Sequence, residues 1–178
     1  MKEKLILQNQ TYTKKVQGLL SEMATYSEQQ LNAKADPKSW SALQVAQHLA
    51  VSEASSLAYV RKKMAHTQTF PKAGIAELAR SLFIRLLLFQ PFKFKAPPVV
   101  GNAVLTPNNT LEVIRQQWLN TRHDWQEFFE TMPRELENRA VFKHPRAGRI
   151  GWKHVLCFFS DHFDRHRQQI RKTLKKVD

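Results

Sequence analysis

Two histidines four residues apart, His162 and His166 in FFSDHFDRHRQQI, share one face of a predicted helix. A rotation of about 100° per residue leaves positions i and i+4 only about 40° apart. The same arithmetic gathers Trp152, Val155, Phe159 and Ile170 into one quadrant with them, Phe163 just beyond it, and turns Asp164, Arg165 and Arg167 away from the apolar stripe. Imidazoles set among apolar side chains need hydrogen-bond partners or a cation. A third histidine, His48, lies in SWSALQVAQHLAVSE on another predicted helix, whose inward face also carries Val45, Leu49, Ser52 and Tyr59. A His-x-x-x-His pair alone also arises in ordinary core packing, and a lone inward histidine more so. Three neutral imidazoles are a different matter: they leave the fourth position of a tetrahedral site open, the arrangement of catalytic rather than structural zinc. The one cysteine, Cys157, falls about 140° around the helix from His162, out of reach as a fourth ligand.

The same angles sort the neighbours. Ser52, one turn after His48, and Gln169, at nearly the angle of His162, are placed to line a cavity beside the histidines, and Tyr59 is a further candidate. Each also suits plain bundle packing. Glu53, Asp161 and Asp164 are near the ligands in sequence but turned well away from them, which reads as surface or supporting positions rather than general bases. His154 lies about 80° from His162. With His66, His123 and His144, which have no ligand spacing, it is expected on the surface or in loops.

Four long helical segments must position this chemistry. The first is expected from about Lys4 to Leu31, with Leu5, Val16, Leu19, Leu20 and Met23 among its apolar positions. The second follows Asp36-Pro37, where Ser41 and Gln44 can form a capping box, and runs to about Ala65. The third follows Thr106-Pro107, with Pro107 suited to a first helical turn, and spans about Thr110 to Thr131, offering Ile114, Trp118, Trp125 and Phe128 to the core. The fourth opens after HPRAGRIG and continues to about Lys175, its terminal cations facing the negative end of the helix dipole. Between the second and third, a short helix is predicted at 75–89, and then KFKAPPVVGNAVLTP reads as an extended crossover, because Pro97 and Pro98 remove amide donors. No alternating run of strand quality is evident.

At 178 residues the chain fits one domain, residues 1–178. Its 28 Lys and Arg against 15 Asp and Glu, a net charge of +13, favour anionic partners. No nucleic-acid reader motif accompanies the charge, so no nucleic acid is expected as partner. A single cysteine excludes an internal disulfide and suits a reducing compartment. Leu5, Ile6 and Leu7 are too short an apolar run for a signal peptide, and the expectation is a cytoplasmic protein. The stretch Leu82 to Phe92, interrupted by Arg85 and Pro91, is far short of a membrane span; it could lie on a bilayer surface beside Lys93 and Lys95, but the expectation is an accessory helix packed on the core.

The start SWSALQVAQHL, the crossover KFKAPPVV and the motif SDHFDRHRQQI together resemble the DinB-like superfamily of DinB/YfiT-like metalloenzymes, in particular its DinB_2-type members, over nearly the whole chain. The resemblance implies an all-α fold: a four-helix bundle of DinB/YfiT-like topology with a long crossover and a short accessory helix between helices two and three. It also implies a divalent metal, often nickel or zinc, held by His48, His162 and His166. The glycine that often follows the second ligand of the last helix is replaced here by Arg167. Relatives of this kind include S-transferases acting with low-molecular-weight thiols, thiol-dependent isomerases and metal-dependent hydrolases. Two chemistries are therefore expected as alternatives: a thiol activated for transfer, or water activated for hydrolysis. A non-catalytic metal-binding stress-response protein is a third, and a homodimer is the expected assembly.

Overall fold

The computed structural model describes residues 1–66, 69–89, 105–106, 109–144 and 148–177, with the side chains at 75–76 and 87–89 left aside. Pro97, Pro98 and Pro107, and with them nearly all of the expected crossover, lie outside the described residues. The elements in chain order are α1 (Lys2–Met23), α2 (Glu28–Asn32), α3 (Ala42–His66), α4 (Ile75–Phe89), α5 (Leu111–Thr131), a 3-10 turn (Arg134–Leu136), β1 (Phe142–His144), β2 (Gly148–Ile150) and α6 (Trp152–Val177). The fold is all-α, as expected.

Helices α1, α3, α5 and α6 form the bundle. Each is amphipathic: Leu5, Tyr12, Val16, Leu19 and Met23 bury one stripe of α1, and Leu111, Ile114, Trp118, Trp125 and Phe129 bury one stripe of α5. Around the bundle α1 packs on α5, α5 on α3, α3 on α6 and α6 back on α1. The chain therefore crosses the bundle diagonally from α1 to α3 and from α5 to α6. Short loops between antiparallel neighbours could not do this.

Local chemistry fixes the ends. The expected first helix is in fact two, because Ser27 opens a new one: its hydroxyl accepts from Gln30 N–H while Gln30 returns a bond to the Ser27 amide. At the start of α3 the Ser41 hydroxyl accepts from Gln44 N–H (3.2 Å), and Gln44 Oε1 accepts from Ser41 N–H (3.1 Å), the box read from the sequence. Thr110 caps α5 through Val113 N–H. Gln47 then ties the chain just before α5 to α3, exchanging hydrogen bonds with Thr106 at 3.1 and 3.3 Å.

The absence of strands in the sequence reading needs correction. Phe142, Lys143 and His144 pair antiparallel with Ile150, Arg149 and Gly148. Three residues a side are too few for alternation to stand out, and Gly148, at φ +80°, takes a left-handed conformation that other residues adopt with strain. The accessory helix α4 packs on α6 and β2. Its buried Glu77 accepts from the Gly151 amide at the start of α6 and bonds His154 Nδ1 (2.9 Å), a carboxylate at the positive end of a helix dipole. A side chain at Gly151 would place its Cβ 2.6 Å from that carboxylate, so a larger residue there would have to displace Glu77.

Candidate metal centre

The three sequence-selected histidines meet. His48 comes from the first half of α3, a helix buried along Ala42–Ala50, and His162 and His166 come from the middle of α6. One nitrogen from each lies within 4.8 Å of the others, and His48 Nε2 stands 3.4 Å from His162 Nε2. The ring centroids are 5.3 Å (His48 to His162), 5.0 Å (His48 to His166) and 4.5 Å (His162 to His166) apart. Two ligand nitrogens about 2.05 Å from a tetrahedral metal are roughly 3.3 Å from each other, so the 3.4 Å separation, which also suits a direct hydrogen bond, is short enough for both nitrogens to share a cation. The donor set, three imidazoles from two helices of a rigid bundle, fits a divalent ion.

Electrostatics point the same way. Burial, followed by the neighbouring His166 and His48, holds His162 well below the ordinary imidazole range. Burial and His48 push His166 down to about 3, against the opposing pull of its bond to Gln169. Both are neutral at pH 7 and keep a lone pair for a cation. Gln169 Oε1 lies 2.9 Å from His166 Nδ1; as an acceptor it fixes the proton on Nδ1 and leaves Nε2 bare. The helix angle offers Gln169 as a lining residue beside the histidines, and the bond to His166 was not foreseen from it.

Two aromatic walls complete the surroundings. Trp40 packs on His48 with centroids 5.0 Å apart, and Phe158 stacks on His162 at 5.3 Å and an interplanar angle of 14°. Neither was singled out from the sequence as part of the site. Trp40 stands in the same SWSALQ signal as the helix cap, and Phe158 is one turn before His162.

The other readings of nearby residues divide. Ser52 is half-buried and its carbonyl accepts from the Ser56 hydroxyl. Tyr59 lies eleven residues beyond His48, roughly 16 Å along the helix, where it packs on Phe142 at 6.0 Å. Asp161 pairs with Arg85 (3.6 Å), and Asp164 pairs with Lys15 (2.8 Å) and Arg167 (3.2 Å). His66 and His123 are exposed, as expected. His144 is not: it is buried against Phe158, centroids 4.7 Å apart, because the hairpin folds it inward. His154 is half-buried and held by Glu77.

Glu53 departs furthest from expectation. It is 2% exposed and lies at the centre of the bundle. Its Oε1 accepts from Tyr12 Oη (2.6 Å) and Trp118 Nε1 (2.8 Å), and its Oε2 accepts from Arg122 Nη1 (2.6 Å). Arg122, itself 1% exposed, also donates to Asn9 and Thr13 on α1. One ion pair thus ties α1 and α5 to α3, the helix that carries His48.

Such a bundle, with one histidine on its second long helix and a pair on its last, is the frame of a histidine-based metal site. The chain belongs to the DinB superfamily: the family's DinB_2 pattern matches residues 11–170, a span that includes all three histidines. No curated protein and no solved structure matches it. No helix among the described residues is long and apolar enough to cross a membrane.

Proposed function

We propose that the protein is a divalent-metal-dependent transferase in which His48, His162 and His166 hold zinc or nickel and a low-molecular-weight thiol is activated for attack on an electrophile. The observation that carries the reading is the convergence of three imidazole nitrogens within 4.8 Å, from one buried and two half-buried histidines, with no fourth histidine, cysteine or carboxylate joining them among the described residues. An ion held by neutral ligands keeps its full charge and acts as a Lewis acid that lowers the pKa of a thiol on its open side. The chain's own residues do the rest. Burial keeps His162 and His166 unprotonated, Gln169 orients His166, and Trp40 and Phe158 hold the rings of His48 and His162 and keep water from their faces. The net charge of +13 draws anionic thiols toward the surface.

The test is thiol consumption, followed colorimetrically, by protein reconstituted with zinc or nickel and offered a panel of low-molecular-weight thiols and electrophiles, with bound metal counted by elemental analysis. Turnover that requires metal and is lost in His166→Ala supports the reading. Cleavage of esters, amides or lactams without any thiol replaces it with hydrolysis, and protein that retains neither metal removes the centre itself.

A further inference from the structure

Among the described residues seven large apolar side chains are strongly exposed, and four of them belong to α4: Leu78 (51%), Leu82 (52%), Phe83 (50%) and Leu86 (63%). Their positions form one stripe. With Leu78 at zero, Leu82, Leu86 and Phe83 fall at about 40°, 80° and 140°, whereas Glu77 and Ile84, the buried residues of this helix, fall at about 260° and 240° against α6. Arg85 and Arg80 come at about 340° and 200°, one on each border of the apolar stripe. Arg85 leans toward Asp161 of α6 (3.6 Å) and Arg80 donates to the Arg149 carbonyl of β2 (3.3 Å), so both cations sit on the shoulders of the helix and leave the stripe open. Exposed Lys153 lies in the recess between α4 and α6 with Leu78 and Leu82, and exposed Lys72 precedes the helix.

We infer that α4 is a membrane-surface helix, which seats Leu78, Leu82, Phe83 and Leu86 among the acyl chains of a bilayer while Arg80 and Arg85 meet anionic lipid phosphates. An apolar stripe bordered by arginines is the pattern of an interfacial helix, in which long cationic side chains reach up to the headgroups as the stripe sinks in. Fifteen residues make about 22 Å, short of the ~30 Å hydrocarbon core, so the helix lies in the plane of the surface and does not span. Charge decides the occupant. A second copy of a chain carrying +13, apposed through this stripe, would bring like-charged borders together, whereas an anionic leaflet neutralises them.

The experiment is flotation of the full chain with vesicles of phosphatidylcholine alone and of phosphatidylcholine mixed with phosphatidylglycerol, at low and moderate salt. The expected result is binding to the mixed vesicles only. Leu82→Gln/Phe83→Gln, at positions already half exposed and safe for the fold, weakens it by about tenfold or more. Arg80→Gln weakens it by about fivefold, the ~1 kcal/mol of one cation near an anionic surface. Absence of binding to the mixed vesicles overturns the inference. So does a double variant that binds as the parent does, because net charge alone then accounts for the attraction. Sedimentation velocity supplies the third arm: a parent that self-associates and a double variant that does not would assign the stripe to a second copy.

Discussion

Replacing Arg122 by methionine keeps most of its bulk in the bundle but removes the donor 2.6 Å from Glu53 Oε2. The carboxylate cannot recover its water, because both residues of the pair are almost fully enclosed. It keeps its bonds from Tyr12 and Trp118 on Oε1, while Oε2 loses the guanidinium, and Asn9 and Thr13 lose a donor as well. Breaking one side of a buried pair typically costs about 3–5 kcal/mol, a large part of the roughly 5–15 kcal/mol that holds a domain folded. For a chain of this length each kcal/mol lowers Tm by about 2–4 °C, so Arg122→Met is expected to melt about 6–20 °C below the parent. Glu53→Gln/Arg122→Met removes the uncompensated charge and leaves a neutral acceptor for Tyr12 and Trp118; it should be more stable than Arg122→Met alone. Urea unfolding followed by far-UV circular dichroism, with near-UV signal from Trp118 and Trp125, measures both. A loss below about 1 kcal/mol in the single variant, or strict additivity in the double, would refute the claim that this pair is the electrostatic centre of the bundle.

Three further outcomes follow from the geometry. Gln169→Leu removes the acceptor that holds His166 in its Nε2-free tautomer, and should weaken zinc or nickel binding by about 10- to 100-fold in chelator competition while leaving helicity unchanged; affinity within twofold of the parent would count against that role. Tyr12 is held neutral above the ordinary phenol range by burial and by the Glu53 charge. Unfolded tyrosine ionises near pH 10, so the stability this contributes is complete below about pH 10 and is lost as pH rises; absorbance at 295 nm should show one of the three tyrosines ionising only as helicity collapses. On the surface, hydrogen bonds from Arg171 to Glu22, both 2.7 Å, lower the Glu22 carboxyl, and stability from this source is present above about pH 4 and fades as pH falls below it. Arg171→Gln should therefore cost less than about 1 kcal/mol at pH 7 and less still as pH falls below about 4, measured by paired urea titrations.

The histidine cluster was readable in the chain because it depends on periodicity alone: a residue's angle on its own helix tells which side of that helix it shares with its apolar neighbours. The cap of α3 was readable for a similar reason, since Ser41 and Gln44 are three residues apart and need no third element. Glu53 shows where such reasoning stops. It is about 140° from His48, an angle that by itself reads as a surface or supporting position. But α3 is enclosed by α5 on one flank and α6 on the other, and the run from Ala42 to Ala50 includes only one residue, Gln44, that is not buried. On such a helix two opposed faces are both interior. The second face can carry a carboxylate only because Arg122, sixty-nine residues on, arrives from α5 to meet it. Buried cations and anions on separate helices are individually indistinguishable from surface residues, and only the diagonal route of the chain brings them together. The site consequently has two layers of different legibility: histidines that announce themselves by spacing, and beneath them an ion pair that ties α1 and α5 to the helix carrying His48.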